Sequence, residues 1–319
     1  MATILVTGAS GFVGSHVVPH LVAAGHRVVA LARTQAACDR VRGRLAAPQR
    51  DAVDCRRGDV TDPASLGPAL EGVDAIVHLV ALPRDHTGGR DLERINVGGT
   101  RNILAAASAA GVRRFVHLGA LGVVEDPALH YATSKARAER SVAESGLDWT
   151  ILKPSLLWGE RDGFFNILAS LVRRSPGIVP LAGGGTSRFQ PLAVSDLART
   201  VVLCLERPET IRQTYELGGP GQYTYRELVQ EVLRGMAARR LLVPMPVPLI
   251  VLVAATAEAA RLPFPVATDQ LRQLKLDNVT APDSVRQGFG FEPRPMAGQL
   301  GYLRRSIAQQ EPAEAGPSR

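Results

Sequence analysis

Short apolar, β-branched runs alternate with longer segments whose apolar residues recur at helical spacing through the first half of the chain. Thr3–Thr7 ("TILVT") predicts a buried strand, and Phe12, Val13, Val17, Leu21 and Val22 predict a helix that stops at Gly25. "HRVVALAR" predicts a second strand ending at Arg33, with a polar, arginine-rich helix after it. "AVDCRRGDV" carries a third strand into Gly58 and Asp59. "DPASLGPAL" predicts a short helix with Asp62 as its N-cap and Pro63 in its first turn. "DAIVHLVA" and "RRFVHLGAL" predict the fourth and fifth strands, with a long helix over residues 91–110 between them that ends at Gly111. Tyr131–Ser145 predicts a helix and "DWTILKP" a sixth strand. Strands spaced by helices need right-handed crossovers, so the fold class is α/β, a doubly wound parallel sheet covered on both faces.

After Pro154 the alternation loosens. "GFFNILASLVRR" predicts a helix, "PLAGGGTSRFQPLAV" a glycine-rich loop with a short strand, and "SDLARTVVLCLER" a helix capped by Ser195. "TYELGGPG" predicts a strand and turn, and Thr224 with Glu227 has capping-box spacing ahead of "LVQEVLRGM". Val247–Ala260 predicts an apolar helix bracketed by prolines. Its polar face is almost empty and lacks lysine or arginine, which points to a buried or interface helix rather than one resting on a membrane. The expected division is residues 1–155, joined by parts of 188–218, as the sheet domain; 156–305 as mainly a smaller cap; and 306–319 as a polar, disordered tail.

The first turn carries the strongest chemical signal. In "GASGFVGSHV" three glycines stand at intervals of three, between a predicted strand and a predicted helix. In that context Gly8 allows a tight turn, Gly11 lets the backbone approach a pyrophosphate, and Gly14 lets helix and strand pack closely. The helix N-terminus offers N–H groups and a positive dipole end to phosphates. The candidate pyrophosphate site is thus Gly8, Ser10, Gly11, Phe12, Val13 and Gly14 of a Rossmann-type sheet. Pro19 within the helix predicts a kink or a lost hydrogen bond.

A carboxylate about 20 residues past such glycines binds a ribose 2′-hydroxyl. Ala32 and Arg33 stand there instead. A guanidinium suits a 2′-phosphate by charge and by its two-pronged hydrogen bond. Arg40, Arg42, Arg44, Arg50, Arg56 and Arg57 strengthen the local positive field. The expected cofactor is therefore NADP(H) in preference to NAD(H), with an arginine that simply points into water as the alternative. Asp59 and Val60, ending the third strand, are placed to flank an adenine. Leu79, Val80 and Ala81, ending the fourth, are placed beside the pyrophosphate. Both sets also suit ordinary strand ends.

"HYATSKARAER" is the second informative stretch. Tyr131 and Lys135, four apart on a predicted helix, share one face. A phenol titrates at roughly pH 10 when unperturbed. A neighbouring ammonium and an oxidised nicotinamide would both lower it, making tyrosine a workable acid or base for carbonyl and alcohol chemistry. The lysine can also hydrogen-bond the nicotinamide ribose. A surface tyrosine lying over a lysine stem is the plain alternative.

With these two stretches the chain resembles the short-chain dehydrogenase/reductase superfamily over residues 3 to about 160. The resemblance rests on Thr7-Gly8-x-x-Gly11-x-x-Gly14, Gly58-Asp59, Asn96 in "INVGGT" and Tyr131-x-x-x-Lys135. Length and the second half look like the extended or atypical branches. "FVHLGALG", "SGLDWTILKPSLLWG", "DGFFN" and "FQPLAVSDLA" look most like relatives of the NADPH-binding accessory subunit of respiratory complex I. The resemblance implies that Pro154 and Ser155 of "KPSLLWG" lie in the loop around the nicotinamide carboxamide. It also exposes a departure. Active members carry serine or threonine at the end of the fifth strand, to hold the substrate oxygen; here Ala120 follows Gly119, and Thr133 and Ser134 are the nearby hydroxyls. Loss of one such donor costs several kcal/mol of transition-state stabilisation.

Leu156, Leu157, Trp158, Phe164, Phe165 and Phe189 suggest an apolar pocket for a small lipophilic substrate such as a quinone, isoprenoid or steroid-like carbonyl. Core between two domains is the alternative. Two main readings follow. One is an NADP(H)-dependent oxidoreductase with Tyr131 as acid/base. The other is a catalytically silent NADPH-binding or redox-sensing protein that docks on a partner such as a respiratory complex. A nucleotide-sugar epimerase or dehydratase is a third reading, against which Arg33 argues.

The remaining features narrow these little. The net charge is +7, yet the arginines are mostly scattered and no basic run is interleaved with aromatics, so a solvated basic surface rather than nucleic-acid binding is expected. Cys38, Cys55 and Cys204 fit no metal-site spacing and read as reduced thiols of a cytoplasmic protein. Thr3–Thr7 is too short for a signal-peptide core, and no run of eighteen apolar residues suggests a transmembrane helix. Contact with the inner face of a membrane is left open.

Overall fold

The computed structural model describes residues 1–83, 85, 87–175, 177–246, 248, 277–305 and 309. The predicted helix Val247–Ala260 and the polar tail lie outside the described residues, apart from isolated positions. The chain divides into two compact units: Met1–Pro154 with Val194–Glu216, and Ser155–Ala193 with Leu217–Glu311.

In the first unit the β-branched runs become strands β1 (Thr3–Thr7), β2 (Arg27–Ala32), β3 (Val53–Arg57), β4 (Ala75–His78), β5 (Arg114–Leu118) and β6 (Asp148–Pro154). They pair in parallel, with Val6 opposite both Ala30 and Val77, and His78 opposite His117. The order is β3-β2-β1-β4-β5-β6, with a further strand, Gln213–Leu217, beyond β6. The chain reverses its winding between β1 and β4, the switch point at which doubly wound sheets open a crevice at their carboxyl ends.

Helices α1 (Gly14–Ala23), α2 (Gln35–Gly43), α3 (Ala47–Arg50) and α4 (Leu66–Ala69) follow the first strands. After β4 a continuous helical stretch runs through α5 (Arg90–Leu92), a π-helical turn (Glu93–Gly98) and α6 (Gly99–Ala109). The long helix α7 is His130–Ala143. As expected, Asp62 caps the turn before α4, accepting from Ala64 N at 3.2 Å. Pro19 sits inside α1. The layer facing α6 and α7 is an apolar core around Leu5, Ile76, Phe115, Ile103 and Val142.

The second unit has its own core. Helix α8 (Phe164–Arg174) and helix α10 (Tyr225–Gly235) bury Phe165, Leu168, Leu228 and Val232 with Leu181, Leu300 and Leu303. The capping box is present: Thr224 N donates to Glu227 Oε2 at 2.7 Å, and Glu227 N to Thr224 Oγ1 at 3.2 Å. Asp162, fully buried, caps α8 by accepting from Phe165 N at 2.6 Å and takes a hydrogen bond from the Tyr302 hydroxyl at 2.5 Å.

Two expectations need correcting, and one pair of alternatives is decided in favour of core. Helix α9 (Val194–Glu206) begins one residue earlier than predicted, so Ser195 lies inside its first turn rather than capping it. Cys38 and Cys55, read as separate reduced thiols, are paired as a disulfide. Parallel pairing sets Cys55 beside Ala30, and α2 folds Cys38 back over Ala32, which brings the two Cα atoms to 6.0 Å. Finally, Trp158, Phe165 and Phe189 are buried in the core of the second unit, with Leu156 and Phe164 packed against it. Their size and apolarity are spent on that core, where Phe164 meets Phe165, Phe189 and Tyr225 edge-on or tilted.

Candidate functional site

The glycine turn connects β1 to α1, and its geometry accounts for two of the three glycines. Gly8 takes φ +70°, and a Cβ there would stand 3.1 Å from the backbone of Leu79 and Val80. The turn therefore runs against the end of β4, at the switch point. A Cβ on Gly14 would lie 2.4 Å from Gly8 O and 2.5 Å from Ala9 O. The start of α1 is thus packed directly on the turn, and no backbone there can yield. Gly14→Ala is expected to cost about 2–3 kcal/mol, read as a lowered denaturation midpoint. An unchanged midpoint would mean the turn is looser than this. Gly11 is exposed, with its N–H on Gly8 O at 3.0 Å; Ser10, Phe12 and Val13 are partly buried around it.

Arg33 is exposed immediately after β2. Of the arginines clustered after it, several tie the local structure together. Arg44 donates to Ser10 O of the glycine turn at 2.8 Å, Arg56 reaches Ala69 O at 3.1 Å, and Arg50 reaches Leu45 O at 3.1 Å. The Arg44 contact, 34 residues away in sequence, carries no local signal. Arg40 and Arg57 are exposed with Arg33. Asp59 accepts from Thr61 N and Thr61 Oγ1, both at 2.9 Å, and so shapes the turn after β3. The Val60 side chain is 4% exposed and belongs to the core beside Gly99, while its carbonyl accepts from Asn102. Leu79, Val80 and Ala81 are partly buried.

Below the turn, on the face covered by α6 and α7, the apolar core gives way to a buried polar cluster. Thr100 donates to Asn96 O at 2.6 Å, so it must accept from His78 Nε2, 3.1 Å away. His78 Nδ1 lies 2.7 Å from Thr7 Oγ1, and in the neutral ring it accepts from that hydroxyl. Burial, reinforced by the Lys135 charge, pushes its pKa down to about 3. His117 stacks on His78 with ring centres 5.5 Å apart, and among the described residues neither of its ring nitrogens has a hydrogen-bond partner. The π-helical turn carries Asn96, whose amide donates to Leu82 O at 3.2 Å and Ser134 Oγ at 2.9 Å and accepts from Leu82 N at 2.7 Å. Such turns recur at functional sites.

Tyr131 and Lys135 lie one turn apart on α7. Lys135 is 2% exposed and donates to Leu118 O at the end of β5. Burial pushes its pKa down to about 8, against the opposing pull of the Glu139 carboxylate. In this structure the largest influences on Tyr131 act the other way from the lowering expected of Lys135 and an oxidised nicotinamide. Burial first, and the Glu139 charge second, push the phenol up to about 12. Neither nearby hydroxyl is at liberty to replace the missing donor at Ala120. Thr133 Oγ1 donates to Asp126 O at 2.6 Å, and Ser134 Oγ donates to Tyr131 O at 2.8 Å.

Two charged residues escaped the sequence reading. Glu139 accepts from Ala120 N at 3.0 Å and pairs with Lys153 at 3.3 Å. Pro154, buried, accepts from Leu121 N at 3.0 Å. In the second unit Ser155 Oγ donates to Asn278 Oδ1 at 2.6 Å and accepts from Gln190 N at 3.2 Å, so its hydroxyl is committed to that framework. Among the described residues no group of side chains could hold a metal ion, and no helix is long and apolar enough to cross a membrane.

A family model described as NAD(P)H-binding matches residues 8–177, from the glycine turn through α7 and β6. The chain belongs to this NAD(P)H-binding family. Its fold is that of the extended short-chain dehydrogenase/reductases, and its relatives include a mitochondrial NADH dehydrogenase subunit. It is 26% identical over 291 residues to NADH dehydrogenase (ubiquinone) 1 alpha subcomplex subunit 9, mitochondrial, of Arabidopsis thaliana, covering 88% of this chain and 70% of that protein. It is 34% identical over 224 residues to sterol demethylase protein B of Methylococcus capsulatus, covering 64% of each. In fold it matches the Thermus thermophilus UDP-glucose 4-epimerase solved with NAD, at a TM-score of 0.69 and 21% identity over 98% of this chain and 99% of that one.

Proposed function

We propose that this member of the family is an NADP(H)-dependent oxidoreductase that reduces a lipophilic carbonyl or quinone-like substrate. The observation that carries the reading is the pair on α7: a phenol partly buried one turn from a fully buried ammonium that reaches the end of β5. A dinucleotide fits the chain's own geometry. Gly8 and Gly14 stand where a Cβ would collide with backbone, the kind of close-packed turn that leaves backbone N–H groups toward phosphates. The residues that would hold it are the turn Gly8–Gly14, Arg33 at the 2′-phosphate, Asp59 and Val60 near adenine, Leu79–Ala81, Lys135 on ribose, and Pro154 and Ser155 at the carboxamide. When bound, the cofactor supplies a hydride to the substrate carbon.

The protein's part is the proton. With its pKa near 12, Tyr131 keeps its proton through neutral pH and can give it to the substrate oxygen. Lys135, held between Leu118 O and solvent-poor surroundings, supplies positive charge beside the developing oxyanion. A lipophilic substrate is favoured by relatives whose names specify a sterol and, for the Zea mays protein, divinyl chlorophyllide a.

A second reading rests on Ala120 and on the similarity to the mitochondrial NADH dehydrogenase subunit. Without a hydroxyl at the β5 end, the chain would hold NADPH without turnover and dock on a partner. Fluorescence titration with NADPH and NADH tests both readings. Arg33→Ala should raise the NADPH Kd about 10–100-fold, the worth of a charged hydrogen-bonding pair, and leave NADH unchanged. Equal affinities for the two nucleotides in the wild type would overturn the NADP preference. Binding of neither would overturn both readings.

A further inference from the structure

We propose that Glu139 is the counter-charge and positioning residue of the Tyr131–Lys135 pair, with Lys153 as its clamp. This rests on the oxidoreductase reading for its purpose, but not for its geometry. Tyr131, Lys135 and Glu139 stand at successive turns of α7, so they share one face. The Glu139 side chain is 12% exposed, and both its oxygens are used. Oε1 accepts from Ala120 N at 3.0 Å, and Oε2 pairs with Lys153 Nζ at 3.3 Å. Lys153 itself is only 18% exposed. The carboxylate therefore joins α7 to the end of β5 and to β6, at the strand end where active relatives carry a hydroxyl.

Gly119 leaves room for the carboxylate where it now lies. A Cβ there would come within 2.5 Å of Glu139 Oε1 and 3.0 Å of its carboxyl carbon. The backbone after β5 is thus the seat of the Glu139 carboxylate, which accepts from Ala120 N.

The charge has a job that a hydrogen bond alone would not do. The titratable groups that act on Lys135 are Glu139 on α7, His78 on β4 and His117 on β5; Tyr131 stands one turn before it on α7, and Lys153 on β6 pairs with Glu139. Both histidines are held neutral by burial, and the phenol stays protonated until about pH 12. That leaves the Glu139 carboxylate beside the buried ammonium, with Lys153 paired to its other oxygen. An uncompensated buried lysine sheds its proton readily. Glu139 opposes that loss, and Lys153 keeps it from trapping the proton outright.

A purely structural bracket makes a different prediction. Glu139→Gln retains an oxygen for Ala120 N and removes only the charge. The chain has three lysines, Lys135, Lys153 and Lys275, so ε-carbon-labelled lysine gives a three-signal NMR titration. Lys153→Met and Lys275→Arg assign it. In Glu139→Gln the Lys135 midpoint should fall by about one pH unit, the scale of one nearby opposite charge. In Lys153→Met it should rise, because the carboxylate is no longer shared. If the folded Glu139→Gln chain titrates Lys135 where the wild type does, the proposal is overturned. If Glu139→Gln fails to fold, Lys153→Met decides alone, and a fall or no change there overturns it. The titrations use cofactor-free protein, so a chain without turnover gives the same answer. Loss of the oxidoreductase reading and loss of this one are thereby told apart.

Discussion

Tyr131→Phe is expected to lower turnover about 10²–10⁴-fold, the range lost with a positioned proton donor, while leaving NADPH affinity within a factor of about two. The substitution removes one oxygen from a side chain that is already partly buried, so the packing around it is kept. The glycine turn and Arg33 lie on other elements and are untouched. The physical case for a proton donor, rather than an acceptor, comes from the direction of the phenol's shift. Burial and the Glu139 charge both disfavour the phenolate, so Tyr131 enters the reaction protonated. Activity is therefore expected to be clearest in the direction of carbonyl reduction. Stopped-flow loss of NADPH absorbance with a panel of lipophilic carbonyls and quinones provides the rate, and fluorescence titration provides the affinity. Activity that survives Tyr131→Phe would overturn the proposed role of the phenol. A wild type that binds NADPH and reduces nothing on the panel would move the reading to the accessory, partner-docking protein.

The alternation of strands and helices through residue 154, the glycine turn and the two capping motifs were all legible in the sequence, because each is written within a few neighbouring residues. What escaped was written across the fold. Glu139 meets Ala120 from 19 positions away and Lys153 from 14, and neither spacing is periodic. Cys38 and Cys55 meet only because β2 and β3 pair and α2 folds back over them. The direction of the Tyr131 shift was missed for a similar reason. A neighbouring lysine four residues on is visible in the sequence, but the depth of burial and a carboxylate two turns on are properties of the packed helix. The aromatic residues of "LLWG" and "GFFN" were rightly seen as apolar and closely grouped, yet sequence alone does not distinguish a pocket wall from a core. In the structure Phe165 is fully buried among aromatic and aliphatic neighbours, which decides it.

The stacked histidines under the glycine turn should make the protein acid-sensitive well above the range of ordinary carboxylates. His78 and His117 are held neutral by burial, with pKa values about 3 and well below 6.5 in the folded chain. Unfolded, each takes a proton near pH 6.5, at about the reference value. The unfolded state therefore binds more protons below that point, and stability present above pH 6.5 is lost as pH falls. Each group contributes about 1.4 kcal/mol per pH unit, so the pair should cost about 4 kcal/mol between pH 6.5 and 5. Asp162 works in the opposite sense. Burial lifts its pKa to about 7, so the folded chain takes that proton first and gains on acidification, which offsets about half. The expected net loss is about 2 kcal/mol, a sizeable share of the 5–15 kcal/mol typical of a folded domain. Urea midpoints at pH 7 and pH 5 measure it. His117 is the cleaner residue to change, because its ring makes no hydrogen bond that a substitution would orphan. His117→Leu should roughly halve the histidine contribution to the slope while His78 keeps its two threonine partners. If the slope with pH is the same in wild type and His117→Leu, the buried ring does not titrate as its surroundings dictate. The acid sensitivity would then have to come from the carboxylates.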